Sequence, residues 1–328
     1  MRYSVIDTNV KASDIHVEKL YSKELEYAEE YVESIPKKEN AEMICPICGE
    51  KMEEVFFEKW GMKYYLCKNT WAVVLDTASV EQKSIEDYFF HSKLAEFRCS
   101  SEYQDTSMLF KRDSWKHTID WINWRITRYK GKGKYSIINL GLRQKGFARL
   151  LEECDIAGDV CHKNSFIAVD GNKELETADI VCAVDTLQRK QNPKEYLRSM
   201  YNLLNDGGLL LLTTRAGMGF DIATLKASSD SIYPLEHIFL PSVEAMKRIL
   251  EETGFKVLEV TTPGILDMQY IDKQKNNISQ EQVFQRYLLN MRDKRFQERM
   301  QIFLQSNNLS SYMRIVAKKD EGDTESWF

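Results

Sequence analysis

The sequence predicts an α/β protein with a doubly wound, mostly parallel sheet, preceded by a small β-rich module and helices. Three observations carry that expectation. From residue 135 onward, apolar strand-like runs alternate with stretches of helical periodicity. Residues 209–213 are continuously apolar, as a strand covered on both faces must be. Between residues 43 and 76, short β-type runs follow a Cys45-Pro-Ile-Cys48 turn.

In chain order, residues 14–39 place Leu20, Leu25, Ala28, Tyr31 and Val32 at roughly helical spacing, and Pro36 ends that helix. Strands are expected near 55–57, 63–66 and 71–75. These are too few to bury a core alone, so the module needs a metal or a neighbouring domain. Residues 79–130 read as helix, with Trp115, Ile119, Ile122 and Ile126 on one stripe, up to the joint Gly131-Lys-Gly-Lys134. Beyond it come strands at 135–140, 166–169, 179–184, 209–213, 255–260 and 312–317. Helices fall at 146–154, 193–204, 242–253 and 279–305, with a turn at Asp206-Gly-Gly208 between helix and strand. The expected organisation is a helical segment 1–42, a ribbon-like module 43–76, a helical connector 77–130, an α/β domain 131–319 and a loose tail 320–328.

Composition narrows the function. Net charge is -5, the pI is near 5.7, and 29% of residues are charged. That balance weighs against a nucleic-acid binder, and Arg125, Arg128, Lys130, Lys132 and Lys134 read as a solvated linker. No run approaches the ~20 apolar residues of a membrane helix. The N-terminus has no apolar signal-peptide core, so a cytoplasmic protein is expected. Glycine is scarce, 15 in 328, which leaves few loops able to cradle a nucleotide closely. Seven cysteines without a signal peptide favour a metal site or buried thiols over disulfides.

Cys45 and Cys48 form a knuckle whose two thiolates at one tight turn suit tetrahedral zinc. The closing pair is Cys67-Lys-Asn-Thr70, so Thr70 stands where a fourth thiolate belongs. Three-thiolate zinc binding by Cys45, Cys48 and Cys67, completed by water, His91 or Cys99, is one expectation; an emptied ribbon held by aromatic packing is the other.

Residues 135–319 resemble class I S-adenosylmethionine-dependent methyltransferases, and residues 43–75 resemble the zinc-ribbon head often fused to them. The resemblance rests on Leu204-Asn-Asp-Gly-Gly-Leu-Leu-Leu-Leu-Thr-Thr214, Gly219-Phe-Asp-Ile-Ala-Thr-Leu225, Tyr233-Pro-Leu-Glu-His-Ile238, Thr262-Pro-Gly-Ile-Leu-Asp267 and Leu309-Ser-Ser-Tyr-Met-Arg-Ile-Val-Ala-Lys318. It points to bacterial enzymes associated with glycans and sugar nucleotides. It implies a Rossmann-like fold whose last strand inserts antiparallel, S-adenosylmethionine as cofactor, and a small-molecule or glycan-precursor acceptor.

Carried onto this sequence, the cofactor loop is Asn139-Leu-Gly-Leu-Arg-Gln-Lys-Gly146. Gly141 is kept, Asn139 replaces the usual acid, and Arg143 and Lys145 replace glycines. No clear ribose-binding acid follows, Asp159 being the nearest, and the second strand-helix unit looks truncated. Asp170 fits the adenine-side acid. Asp185-Thr-Leu-Gln-Arg189 replaces a Glu-His pair and leaves Asp185 as a cofactor-pocket candidate. Glu236 and His237 remain as the catalytic candidates, His237 as an acid or base near neutral pH. Two readings stay open: an active methyltransferase, or an inactive relative acting as a scaffold, a protein partner or a binder of another ligand.

Overall fold

In the computed structural model the described residues are 18–38, 42–141, 145–163 and 177–320. Arg143, Asp170 and the strand expected at 166–169 lie outside them, as does the side chain of Lys145.

The α/β part is a six-stranded sheet. Its strands are β4 (Tyr135–Asn139), β5 (Ala157–His162), β6 (Ala178–Val184), β7 (Leu204–Arg215), β9 (Phe255–Thr261) and β10 (Tyr312–Lys319), in the order β5-β4-β6-β7-β10-β9. β4 pairs parallel with β5 and β6, and β6 pairs parallel with β7. β10 runs antiparallel between β7 and β9, Tyr312 lying opposite Arg215. The chain steps outward from β4 to β5 and returns to β6 on β4's other side. This reversal opens a crevice at the carboxyl ends of β4 and β6, where open α/β sheets bind ligands.

Helices cover both faces of the sheet. On one face lie α4 (Ser101–Lys130) and α5 (Lys145–Glu152), burying Ile119, Ile122, Ile126, Phe147 and Leu151 against Ile137, Ile180 and Leu211. On the other lie α6 (Pro193–Asn202) and α8 (Val243–Glu252), burying Leu197, Met200, Met246 and Ile249. Asn192 and Ser242 start those two helices by accepting from the backbone N–H of Glu195 and Ala245. At 30 residues, α4 runs roughly 45 Å.

The second sheet takes β1 (Glu54–Lys59), β2 (Met62–Leu66) and β3 (Val73–Leu75) from the N-terminal module, and β8 (Phe239–Leu240) from the α/β part. The module therefore completes itself with a strand from the larger sheet's neighbourhood. Its apolar residues join shared cores: Met43, Ile47 and Met52 with the α6–α8 face, and Tyr64, Val73 and Leu75 with Ile232, Leu235 and Ile238. Helices α1 (Glu18–Ser34), α2 (Gln82–Phe90) and α3 (Lys93–Cys99) pack over this sheet.

The structure departs from the sequence expectations in four places. β7 begins at Leu204 and carries Asp206-Gly-Gly208 inside it, as an irregularity that shifts register between Ala178 opposite Leu204 and Ile180 opposite Leu209. β5 supplies the second strand, so the unit after β4 is less truncated than the spacing implied. α9 (Asp267–Gln274) fills a stretch with no assignment. The helix expected over 279–305 divides into α10 (Val283–Met291) and α11 (Lys294–Ser306), because Asp293 caps the second by accepting from Phe296 N–H.

Candidate functional site

One cavity of about 470 Å³ lies along the carboxyl edge of the large sheet. The strand ends dictate its wall. Gly141 follows β4, Asp185 follows β6, Arg215 ends β7, Thr261 ends β9, and antiparallel β10 begins there with Tyr312. The roof comes from α4, through Trp115, Trp121 and Trp124, and from the loop carrying Tyr233, Glu236 and His237.

That loop is held from two sides. Ile238 N–H donates to Gln188 O at 2.7 Å, and Ile238 O accepts from Leu75 N–H at 2.8 Å. Gln188 Oε1 in turn accepts from Thr214 Oγ1 and Arg215 N–H, both at 3.1 Å. The small sheet, the segment after β6 and the end of β7 thereby fix Glu236 and His237 relative to the large sheet.

Glu236 is buried among cations. Oε1 accepts from Arg98 Nη1 at 2.7 Å and from Tyr88 Oη at 3.0 Å, and Oε2 lies 3.2 Å from Arg189 Nη2. Burial alone would push its carboxyl up. The guanidiniums of Arg98 and then Arg189 more than reverse that and hold it down at about 2. Glu236 is a fixed anion that orients two arginines. Arg98 also donates through Nε to Glu24 at 2.7 Å.

His237 is buried, and its Nδ1 accepts from Tyr233 N–H at 2.8 Å. A neutral ring with Nδ1 accepting carries its proton on Nε2. Burial, followed by the Arg215 guanidinium, holds the imidazole well below its ordinary value. His237 therefore offers a neutral N–H donor.

At the end of β4, Asn139 turns back into its own loop. Its Oδ1 accepts from Gly141 N–H at 3.0 Å, and its Nδ2 lies 3.1 Å from His162 Nδ1. His162 closes β5, where the family resemblance places a ribose-binding acid, and its Nε2 lies 2.9 Å from Glu152. Asp159 is exposed in mid-strand. Asp185 adopts a left-handed backbone (φ 53°), and its Oδ1 accepts from Thr213 Oγ1 at 3.0 Å. Gly141 and Asp185 thus meet at the cavity with His237 and Glu236, whereas Asn139 is not part of its lining. Sequence reasoning did not single out Arg98, Arg215, Trp121 or Arg314 for the cavity. Trp121 lay beside the recognised helical stripe and Arg314 inside a resemblance motif, but Arg98 and Arg215 carry no motif.

The second candidate site is in the N-terminal module. The Sγ atoms of Cys45, Cys48 and Cys67 lie within 4.8 Å of one another, Cys48 and Cys67 at 3.6 Å. Thiolates at about 2.3 Å around one zinc sit roughly this far apart. Thr70 Oγ1 lies beside the group, 3.5 Å from Cys45 Sγ. His91 and Cys99 do not join the group, so neither replaces the missing thiolate. Burial raises Cys48 to about 11. Burial also acts on Cys67, but hydrogen bonds from the Thr70 hydroxyl and the Thr70 and Asn69 N–H groups outweigh it and lower that thiol.

Comparison with known proteins follows the same lines. Residues 93–260, just over half the chain, match the methyltransferase domain family. A tRNA U34 carboxymethyltransferase from Idiomarina loihiensis is 30% identical over 95 residues, 29% of this chain and 29% of that protein, so under a third of that relative's length is spanned. Among solved structures, the plantazolicin methyltransferase BpumL in complex with SAH aligns over 72% of this chain and 94% of that one, at 10% identity and a TM-score of 0.44. An O-methyltransferase family protein from Burkholderia thailandensis aligns over 70% and 63%, at 14% identity and a TM-score of 0.42. Among the described residues no helix is long and apolar enough to cross a membrane.

Proposed function

The chain belongs to the methyltransferase domain family, and on that premise we propose that it methylates a small-molecule acceptor with S-adenosylmethionine in the carboxyl-edge cavity. The observation that carries this reading is the meeting of Gly141, Asp185 and the His237 loop on one cavity of about 470 Å³ at the sheet's switch point. That volume falls within the range of small-ligand sites. S-adenosylmethionine supplies an electrophilic methyl on a sulfonium. Gly141 leaves room for close backbone approach, and the Asp185 carboxylate suits a cationic group beside the β6 end. In this reading His237 Nε2–H donates to an acceptor oxygen, and Glu236 holds Arg98 and Arg189 around the acceptor end. A glycan-precursor acceptor is supported only by the motif resemblance.

A second reading, a family member that keeps the frame without the cofactor, draws on Asn139 and His162. The Asn139 oxygen is occupied by Gly141 N–H, and β5 ends in a histidine paired with Glu152. Calorimetric titration with S-adenosylhomocysteine separates the two: saturable heat supports methyl transfer, and none at millimolar ligand supports the inactive relative. We further propose that Cys45, Cys48 and Cys67 hold zinc, with Thr70 at the fourth corner. The unit boundaries at 43, 77 and 131 stand as proposals of the same kind.

A further inference from the structure

Among the described residues, the buried side-chain polar atoms without a hydrogen-bond partner divide by chemistry. The five away from the cavity are all oxygens: Tyr64 Oη, Asp221 Oδ1, Glu259 Oε2, Gln282 Oε1 and Asn308 Oδ1. The three on cavity-lining residues are all N–H donors: Trp121 Nε1, Arg189 Nε and Arg314 Nε. Buried donors without acceptors are destabilising and rare. Three of one polarity among the residues lining one cavity are matched by a ligand that brings lone pairs.

Five carboxylates line the cavity, and four of them, all but Asp120, are engaged by donors of the protein. Glu24 accepts from Arg98 and Tyr103, and Glu236 from Arg98 and Tyr88. Asp267 accepts from Ser310, Ser311 and Gln301, and Asp185 from Thr213. The arginines are less fully engaged. Arg189 meets Glu236 through Nη2 only, and its guanidinium lies 5.6 Å from the Phe89 ring centre. Arg314 is oriented by aromatic faces, 5.3 Å from the Trp121 ring centre and 5.8 Å from that of Tyr312. His237 adds a fourth donor through Nε2.

We propose that the acceptor is an acid, whose carboxylate or phosphate oxygens accept hydrogen bonds from Arg189 Nε and His237 Nε2, with Trp121 Nε1 and Arg314 Nε taking its further oxygens. Fixed guanidinium forks favour planar or tetrahedral oxyanions over neutral oxygens. The word acceptor rests on the methyl-transfer reading; the oxyanion site itself does not.

The test uses the full chain with inorganic phosphate and with succinate, against sodium chloride at equal ionic strength, each with and without saturating S-adenosylhomocysteine. Calorimetry and thermal unfolding are the readouts. One of the two oxyanions is expected to bind at millimolar concentration and raise Tm where chloride does not, phosphate or succinate identifying which acid is preferred. Arg189→Gln and Trp121→Phe are each expected to weaken that binding at least tenfold while S-adenosylhomocysteine affinity stays within twofold. Should Arg189→Gln not fold, Trp121→Phe and Arg314→Gln carry the comparison. Equal response to chloride, unchanged affinity in the variants, or displacement of the oxyanion by S-adenosylhomocysteine would overturn the proposal, the last assigning the donors to the cofactor's carboxylate. Oxyanion binding without S-adenosylhomocysteine binding would sink the methyl-transfer reading and leave the site; the reverse would sink only this inference.

Discussion

Glu236 lines the cavity as an anion held between two arginines. Its carboxylate is buried against Arg98 and Arg189, so removing its charge leaves two partly buried guanidiniums short of a partner. Glu236→Gln is expected to cost about 3–5 kcal/mol in denaturant unfolding at pH 7. The sign of its pH dependence follows from the depressed carboxyl. With a folded value of about 2 against an ordinary 4.5, the stabilisation is complete above 4.5 and is lost as pH falls toward 2. The gap between wild type and variant should therefore narrow on acidification from pH 4.5. A gap that stays constant would contradict the ion-pair account. The Glu236-His237 pair was legible in the sequence because it stands in a recognisable motif. What the two residues do was not, because Arg98 is 138 positions from Glu236 and the His237 tautomer is set by a folded-backbone contact. Asn139 makes the same point: its identity was visible as a replaced acid, but its turn back onto Gly141 was not.

At the scale of elements, the site depends on how strands and loops from distant segments are locked together. β8 joins the small sheet and fixes the loop just before it, so the N-terminal module bears on the cavity it does not line. Gly219, ahead of α7 (Phe220–Leu225), is a second lock. A Cβ there would lie 2.3 Å from Ser311 Cα and 2.6 Å from its backbone N, atoms that cannot turn aside. Gly219→Ala should destabilise by ~1–3 kcal/mol in thermal or denaturant unfolding. Gly146→Ala meets only the Trp115 ring, whose side chain can move, and should cost less. The cysteine group gives another element-level expectation. Protein purified without chelator should carry about one zinc per chain, Cys67→Ser should lose it and lower Tm, and Thr70→Cys should hold it more tightly. Full reactivity of all three thiols in native protein, with no metal, would refute the zinc site. The strands of the large sheet were mostly readable, because runs such as Leu209–Leu212 are apolar on both faces. β5 was not, because it carries an exposed Asp159 and His162, so no apolar run marks it.

For the whole molecule, the sheet order decides where chemistry can occur. Reversal between β4 and β6, with β10 entering antiparallel, gathers Gly141, Asp185, Arg215 and Tyr312 on one edge, and α4 closes over them. The scarce glycines are consistent with this architecture: close approaches are spent at packing points such as Gly219, while the cofactor edge retains Gly141. This arrangement was legible as a fold class, since alternating periodicity implies it. The cavity's charge pattern was not, since it is assembled from eight separate segments. On the proposed function this cavity binds the methyl donor's product, with Asp185 in its wall. Calorimetric titration of the full chain with S-adenosylhomocysteine tests it most directly. Saturable one-to-one binding, weakened about tenfold or more in Asp185→Ala, is the result expected. The absence of heat at millimolar ligand, or an affinity unchanged in Asp185→Ala, would contradict it.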